Sequence, residues 1–405
     1  MGDRMEMVQE WLAVARVETI AWLQRCTPLR AIVSVGLIGS IGVWAVAVNI
    51  INANANTPEQ ATLETPRTLW SCKGRSQQVT RWYSYQAQLV ASANHYEPAS
   101  PYDNRARLLL LGDSITEAWR GTSMGEPRSE PWAASLPDIL DETLGRRWPA
   151  PLVHGISGDQ TQHLLWRLAH GEMSARMAND ERLVVVLMIG TNNLGMGHTP
   201  EQVAEGINAV VTRLLNQSKA RILVNALLPR GDGQRRLPAL CPPSCAKNGK
   251  PLKSFRPLIE RVNELLNLAI GRLMQRHPSR LRYVDCGRLF DPMAVRSSER
   301  QQASAGASGS AGGLDGLQLI SGGARAVGDV VSGVVTHPTA VLAKTEQAFI
   351  GAGEKVIGVA EEYLSRGASD DVRIELMPDR LHPNAEGQRL WAGCIEQAIG
   401  DFATT

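Results

Sequence analysis

Residues 183–193, LVVVLMIGTNN, join an uninterrupted apolar run to a short polar turn. An apolar run without polar alternation is typical of a strand covered on both faces, as in parallel sheets. The capping-box sequence 199–202, TPEQ, then predicts a helix that continues to about Asn216. A buried strand, a polar turn and a helix in that order make up most of a βαβ unit, so this stretch indicates an α/β fold.

The same succession of apolar run and helical pattern repeats on both sides of this stretch. Further helices are predicted over 159–168, with Asp159 as the N-cap, over 254–276, and from Pro383 onward. Because parallel strands joined by helices form a sheet covered on both faces, we predict a three-layer α/β/α sandwich with a parallel, roughly five-stranded sheet. The candidate strands are 107–112, 151–156, 183–189, 221–228 and 281–286.

The charge balance and the cysteine pattern argue against two classes of function. With 42 basic and 40 acidic residues the net charge is +2, whereas a nucleic-acid-binding protein needs a dense basic face. There is no Cys-x-x-Cys pair and no histidine cluster at zinc spacing, so no metal site is predicted. Cys241 and Cys245 could pair with each other or with Cys72 in an oxidising compartment, and free thiols fit the pattern equally well.

Residues 31–51, AIVSVGLIGSIGVWAVAVNII, indicate a membrane anchor because they contain no charged side chain. A helix of this length, at about 1.5 Å per residue, spans the hydrocarbon core of roughly 30 Å. Basic residues precede the run, up to Arg30, and are absent after it until Arg67. This bias predicts a single-pass protein with a cytosolic N-terminus and a lumenal or extracellular folded domain. The alternatives are a signal peptide cleaved near 53–55, Ala-Asn-Ala, and a buried core helix.

The rest of the chain divides into segments of different composition. Aromatic residues around Trp82 indicate that part of the polar segment after the anchor packs on the folded domain. A late insertion is rich in glycine and serine, and its residues 343–366 have the spacing of an amphipathic helix. The predicted segments are an amphipathic cytosolic leader (1–30), the membrane helix (31–51), a stalk and N-terminal extension (52–104), the first part of the α/β domain (105–295), the insertion (296–370) and the last part of the domain (371–405).

Three of the predicted strands end in polar turns that carry reactive or donor groups. Ser114 follows the first strand in Gly-Asp-Ser, Gly158 lies in the turn GISGD after the second, and Asn192 follows the third in Gly-Thr-Asn-Asn. Open α/β sheets bind ligands at the carboxyl ends of their strands. A serine can act there as a nucleophile, and a glycine N–H and an asparagine amide can donate to a developing oxyanion. Taken singly, each turn also fits an ordinary strand-to-helix connection.

A fourth block, DRLHPN at 379–384, precedes the last predicted helix. Proline keeps His382 out of helical geometry, so its imidazole projects from a defined loop. One turn can bring the Asp379 carboxylate to the Nδ1 side of the ring, which leaves Nε2 free to accept a proton from a serine. The occurrence of all four blocks in this order is a specific pattern for acyl-transfer chemistry.

These four blocks resemble those of the SGNH (GDSL) hydrolase superfamily. Within it the chain is most similar to the catalytic subunits of platelet-activating-factor acetylhydrolase, through the stretches GISGDQTQHLLWRLAHGEM, IGTNNLGMGHTPEQVAEGI and LLPRG. The resemblance covers residues 105–295 and 371–400 and implies the flavodoxin-like fold of that superfamily.

The resemblance also implies a role for each residue of the four blocks. Ser114 would be the nucleophile, and Asp379 and His382 would complete its triad. The backbone N–H groups of Ser114 and Gly158 and the side chain of Asn192 would form the oxyanion hole.

The function expected from the sequence is that of a membrane-anchored serine esterase without metal or cofactor. Its substrate would be a short acyl ester, an acetyl ester above all, of a lipid or a sugar. A carbohydrate O-acetylesterase, an O-acetyltransferase and a catalytically silent membrane adaptor are the alternatives. The expected partners are a small-molecule or lipid ester and a membrane, without nucleic acid, and a homodimer remains open.

Overall fold

The structure, a computed structural model, describes residues 59–68, 71–98, 106–241, 245–297 and 371–403. The predicted leader, membrane helix and amphipathic insertion helix (1–30, 31–51 and 343–366) lie outside the described residues. Within the described part of the chain, no helix is both long and apolar enough to cross a membrane.

A five-stranded parallel sheet lies at the centre of the domain and confirms the predicted α/β architecture. Its strands are β1 (Arg107–Gly112), β4 (Leu152–Gly155), β5 (Leu183–Met188), β6 (Arg221–Asn225) and β7 (Leu281–Val284), while β2 (Thr122–Ser123) and β3 (Glu126–Pro127) form a separate hairpin. The strand order is β4-β1-β5-β6-β7, so β5 is central and its six residues are all buried.

Helices cover both faces of this sheet. Alternate residues of β5 point to opposite sides. Val185 packs with helices α5 (Thr161–Ala169), α8 (Pro200–Gln217) and α10 (Arg256–Arg276), while Val186 packs with α3 (Leu136–Glu142) and α11 (Ala385–Ala403). The sheet is thereby enclosed between two helical layers, as predicted. The helices are α1 (Ser76–Asn94), α2 (Ser114–Glu117), α3 (Leu136–Glu142), α4 (Leu144–Arg147), α5 (Thr161–Ala169), α6 (Ala175–Asn179), α7 (Thr191–Gly195), α8 (Pro200–Gln217), α9 (Gly233–Arg236), α10 (Arg256–Arg276) and α11 (Ala385–Ala403).

Several element boundaries differ from the predicted ones. The strand predicted over 221–228 ends at Asn225, and the backbone N–H of Leu227 donates instead to the side chain of Asn263 at 2.8 Å. Residues 226–228 stay apolar because they remain buried after leaving the sheet. The last helix begins at Ala385 rather than at Pro383. The capping box of α8 is present as predicted, formed by Thr199 and Gln202.

The segment before β1, predicted as a stalk with an extension, contains a long helix that the sequence did not reveal. Helix α1 buries Trp82, Tyr85 and Leu89 against the domain, in agreement with the packing expected from its aromatic residues. Its N-cap residue, Arg75, makes no capping hydrogen bond, so the usual sequence signal for a helix start is missing.

Four of the cysteines form two disulfides, whereas the sequence had left their pairing open. Cys241 bonds to Cys245, and Cys286 after β7 bonds to Cys394 in α11. Cys72 is a buried free thiol, so its predicted alternative pairing is wrong. The Cys286–Cys394 pair was not foreseen, because its partners are 108 residues apart and meet only once α11 packs beside β7.

Candidate active site

Ser114 lies at the carboxyl end of β1 and is the first residue of α2. Asp113 caps this helix by accepting a hydrogen bond from the N–H of Ile115 at 3.0 Å. Gly155 lets α2 approach β4, because a Cβ there would lie 2.4 Å from the backbone nitrogen of Glu117. Complete burial, together with the Asp159 charge, raises the pKa of Asp113 to about 7. Ser114 is thus held at a rigid strand-to-helix junction.

The Asp379–His382 loop is a turn closed by its own carboxylate. Oδ1 of Asp379 accepts hydrogen bonds from the N–H groups of Leu381 at 2.9 Å and His382 at 2.7 Å. Its other oxygen, Oδ2, lies 2.6 Å from Nδ1 of His382. Arg380 has a φ of +67°, a left-handed conformation that reverses the chain within the turn. One carboxylate therefore both shapes the loop and orients the imidazole.

The imidazole of His382 joins this loop to the serine. Nε2 lies 2.9 Å from Oγ of Ser114, although the two residues are 268 positions apart in sequence. With the Nδ1 proton directed at Asp379, Nε2 is left as the acceptor for the serine proton. Ser114, His382 and Asp379 thus form one continuous hydrogen-bonded chain, and the structure brings these three predicted residues together.

The electrostatic environment keeps the imidazole neutral and the carboxylate charged. Burial lowers the pKa of His382, and although the Asp379 hydrogen bond opposes this, the positive charge of Arg128 lowers it further. Burial raises the pKa of Asp379, but the hydrogen bond and charge of His382 outweigh that effect and bring it to about 2. A neutral base beside an ionised acid is the arrangement that general-base catalysis requires.

Arg128 and Glu130 adjoin this chain and were not predicted from the sequence. Nη2 of Arg128 lies 3.4 Å from Nδ1 of His382, 4.0 Å from Oδ2 of Asp379 and 3.1 Å from Oε1 of Glu130. The Arg128 side chain is 5% exposed and stacks over the ring of Trp132. A largely buried guanidinium therefore faces the hydrogen bond between His382 and Asp379.

The turn after β4 presents the N–H of Gly158. Its neighbours are occupied: the N–H of Ser157 donates to Glu117 at 2.7 Å, and the N–H of Asp159 donates to the carbonyl of Ile156 at 3.0 Å. The N–H groups of Gly158 and of Ser114 donate no hydrogen bond to another described residue. Both N–H groups remain available to a ligand, and both are predicted from the sequence to form part of an oxyanion hole.

Asp159 does not cap α5, as the sequence suggested; Gln160 is the N-cap. Its carboxylate instead accepts a hydrogen bond from Nε1 of Trp82 and pairs with Arg167, each at 2.8 Å. Arg167 also pairs with Glu172, and the Arg167, Asp159 and Glu172 side chains are completely buried. The predicted cap was wrong because a buried arginine and a tryptophan compete for the carboxylate. This network anchors the residue next to Gly158.

Asn192 follows β5 and reaches across to the same turn. Its side-chain nitrogen donates to the carbonyl of Asp159 at 2.9 Å, and an amide nitrogen has a second proton to offer. Arg230 holds the Asn192 loop by donating to the carbonyl of Thr191 at 2.7 Å. The next residue, Asn193, is fully buried, and its side-chain oxygen accepts a hydrogen bond from the N–H of Thr161, the first residue of α5. The structure thus brings Asn192 to the Gly158 turn.

Glu117 is another residue whose position sequence reasoning missed. It is fully buried, and its carboxylate accepts hydrogen bonds from the N–H and hydroxyl of Ser157 and from the N–H groups of Met124 and Gly125. Glu117 lies one helical turn after the predicted nucleophile Ser114, and this spacing was a signal that could have suggested its connection to the turn of Ser157. Among the described residues, no group of three or more His, Cys, Asp or Glu side chains is arranged to hold a metal ion.

Comparison with known proteins finds relatives of part of the chain. The chain is 32% identical over 193 residues to the platelet-activating factor acetylhydrolase IB subunit alpha1 of Bos taurus, which covers 47% of this chain and 62% of the relative. It is 31% identical over 195 residues to subunit alpha2 of Homo sapiens, with 48% and 63% covered. The chain therefore spans less than two thirds of the length of these relatives. Among solved structures, a GDSL-like lipase from Bacteroides thetaiotaomicron has a TM-score of 0.38 at 13% identity and covers 79% of this chain and 97% of its own.

A family of known hydrolases matches a larger continuous part of the chain. Residues 110–341 match the model of the GDSL-like Lipase/Acylhydrolase family, which is more than half of the 405 residues. The match contains Ser114, Gly158 and Asn192 and ends before the Asp379–His382 loop. The chain therefore belongs to the GDSL-like lipase/acylhydrolase family.

Proposed function

We propose that the protein is a serine esterase that hydrolyses short acyl esters, with Ser114 as the nucleophile and His382 and Asp379 as its base and orienting acid. The observation that carries this proposal is the continuous hydrogen-bonded chain from Oγ of Ser114 through His382 to Asp379. Family membership supports the same reaction class. The choice of a short acyl group, such as the acetyl group of a lipid or sugar ester, is supported by the similarity to acetylhydrolase subunits.

The reaction divides into two acyl transfers. Oγ of Ser114 attacks the ester carbonyl as His382 takes the hydroxyl proton at Nε2, and a tetrahedral oxyanion forms. The ester C–O bond then breaks, the departing alcohol takes the proton from His382, and the acyl group stays on Ser114. Water repeats the sequence: it gives a proton to His382, attacks the acyl-enzyme and releases the acid, while the proton returns to Ser114.

Three donors would stabilise the oxyanion in both steps. The N–H groups of Ser114 and Gly158 have no acceptor among the described residues, and the Asn192 amide adjoins them. Preorganised donors of this kind act without reorganisation when charge develops, and each is worth about a hundred- to a thousandfold in turnover.

A series of p-nitrophenyl esters of rising acyl length tests this function on the full-length chain. We expect the acetate to be hydrolysed fastest, the rate to fall as the acyl chain lengthens, and Ser114→Ala to lose turnover by several orders of magnitude, about 10⁴-fold or more. Hydrolysis of none of the esters by the folded wild-type protein would contradict the proposal. A Ser114→Ala variant that keeps more than about a tenth of wild-type turnover would also contradict it.

We also propose that residues 31–51 anchor the enzyme in a membrane with the catalytic domain in the lumen or outside the cell. The apolar length of that segment supports an anchor. The two disulfides support an oxidising compartment for the domain, and Asn216 of the sequon Asn-Gln-Ser is exposed at the end of α8. After an alkaline carbonate wash the protein should remain in the membrane pellet. Its release into the supernatant would favour a cleaved signal peptide instead.

A further inference from the structure

The segment before β1 directly contacts the turn after β4 that contains Gly158. Residues 59–98 lie outside the family match, which begins at residue 110. Two of their side chains, Arg67 and Trp82, nevertheless contact the turn formed by Ser157, Gly158 and Asp159. Both residues are buried, so these contacts are built into the interior of the protein.

Arg67 contacts the turn on both sides of Gly158. Its Nη2 donates to the carbonyl of Ser157 at 2.8 Å, and its Nε lies 3.4 Å from Oδ1 of Asp159. A Cβ added at Gly158 would lie 2.3 Å from Nη2, so the guanidinium packs directly on the Gly158 backbone. The φ of Gly158 is +81°, a conformation that a side chain would also disfavour.

The Ser157 carbonyl and the Gly158 N–H belong to one peptide unit. A trans peptide is planar, and its C=O and N–H bonds point in opposite directions. By binding the carbonyl, Arg67 therefore fixes the direction of the N–H. The positively charged guanidinium of Arg67, bonded to the carbonyl oxygen, also polarises the peptide and makes the N–H a stronger donor. Both effects act on the N–H of Gly158, which the proposed reaction uses as an oxyanion donor.

The other polar groups of the turn have different partners. Glu117 binds the N–H and hydroxyl of Ser157, while Trp82 and Arg167 bind the Asp159 carboxylate. None of these contacts engages the Ser157 carbonyl, which among the described residues accepts its side-chain hydrogen bond from Arg67. Removing Arg67 leaves the rest of the turn tethered but releases the peptide unit that carries the donor.

We propose that Arg67, from outside the matched family domain, is a positioning residue that aims the N–H of Gly158 into the oxyanion hole. This inference rests on the proposed esterase function. It assigns to the N-terminal extension a direct part in turnover, through a residue that does not itself touch the substrate.

The test compares Arg67→Met, Arg67→Lys and the control Arg75→Ala in the full-length chain. Arg75 is an exposed residue of the same extension whose side chain bonds only to the carbonyl of Cys72 among its described contacts. Each variant is assayed with p-nitrophenyl acetate, and turnover is expressed per active site titrated with a fluorophosphonate. Inhibition by methylboronic acid, which forms a tetrahedral adduct with a serine hydroxyl, reports the oxyanion hole separately.

We expect Arg67→Met to lower kcat by about ten- to a hundredfold with little change in KM, since a misdirected donor loses part of a transition-state interaction. Inhibition by the boronate should weaken in parallel, and Arg75→Ala should match the wild type. A merely structural role would lower the number of titratable sites and leave kcat per site unchanged. That result, in a folded Arg67→Met protein, would overturn the proposal.

Arg67→Lys decides the matter if Arg67→Met does not fold. An ammonium group lacks the fork that bridges the carbonyl and the carboxylate, so kcat should still fall by about threefold or more. An unchanged kcat would overturn the inference. Ser114→Ala in the same assay distinguishes a failure of the proposed function from a failure of the Arg67 inference. An active Ser114→Ala variant contradicts the proposed function. An inactive Ser114→Ala variant together with a fully active Arg67→Lys variant contradicts only the role of Arg67.

Discussion

The guanidinium of Arg128 lies 3.4 Å from Nδ1 of His382, beside the carboxylate to which that imidazole is bonded. Because Nδ1 directs its proton at Asp379, the contact is electrostatic and not a hydrogen bond. His382 is faced by the charges of Asp379 and Glu130, which raise its pKa, and of Arg128, which lowers it. The balance of these three charges, together with burial, determines the pH range in which the base is neutral.

The first prediction concerns the acid side of the pH profile. In the proposed mechanism His382 must be neutral to accept the serine proton, so kcat/KM should rise as the pH increases through the pKa of His382. Because burial and the Arg128 charge lower that pKa below 6.5, the rise should be centred below pH 6.5. Asp379, with a pKa of about 2, stays ionised throughout. Substitution Arg128→Met removes a cation and should move the rise toward higher pH.

The control for this prediction has the opposite sign. Glu130→Gln removes an anion that favours the imidazolium, so the rise should move toward lower pH. Measuring kcat/KM for p-nitrophenyl acetate between pH 4 and 9 on both variants gives the two displacements. Displacements in the same direction, or none, would show that Arg128 does not act on His382 through its charge.

A second prediction separates the neighbouring residues Asn192 and Asn193. Asn192→Ala removes one of the three proposed oxyanion donors and should lower kcat by about a hundred- to a thousandfold with KM nearly unchanged. Asn193 is fully buried and bonds to Thr161 and Gln162. Asn193→Ala should therefore lower the free energy of unfolding by about 1 to 3 kcal/mol.

Kinetics and denaturant unfolding of the two variants give the comparison. If Asn192→Ala keeps wild-type turnover, its side chain is not an oxyanion donor and the hole consists of backbone groups alone.

A third prediction concerns the disulfide between Cys286 and Cys394. It joins the end of β7 to α11, which begins three positions after His382, and it closes a separation of 108 residues. Loop entropy predicts that Cys286→Ser with Cys394→Ser lowers the free energy of unfolding by about 4 to 5 kcal/mol. The matched control is Cys241→Ser with Cys245→Ser, whose partners are only 4 residues apart. Equal losses for the two pairs would contradict this difference in loop length.

The blocks at the strand ends could be predicted because each is local. Ser114, Gly158 and Asn192 directly follow apolar runs, and parallel strands bring their carboxyl ends to one edge. Asp379 and His382 lie within a single turn, so their spacing alone indicated the pair. These signals depend only on residues adjacent in sequence. Errors of a few residues in the predicted strand boundaries therefore did not change which residues were predicted for the site.

The supporting residues could not be predicted because their contacts span long separations. Arg67 meets Ser157 across 90 residues, and Arg128 meets His382 across 254. Both lie in segments without a strand or helix pattern, and an arginine in such a segment usually faces solvent. Each is turned inward only by a contact formed in the fold, Arg67 at the Ser157 carbonyl and Arg128 at His382. Sequence periodicity contains no information about contacts of this kind.

The most direct test of the account is to identify the residue that reacts with a fluorophosphonate. Treating the full-length protein until hydrolysis of p-nitrophenyl acetate stops, and mapping its peptides by mass spectrometry, should give a single adduct on Ser114. The extent of labelling should match the loss of activity, and His382→Ala should label far more slowly. An adduct on another residue, or activity that persists with Ser114 fully labelled, would contradict the assignment of Ser114 as the nucleophile.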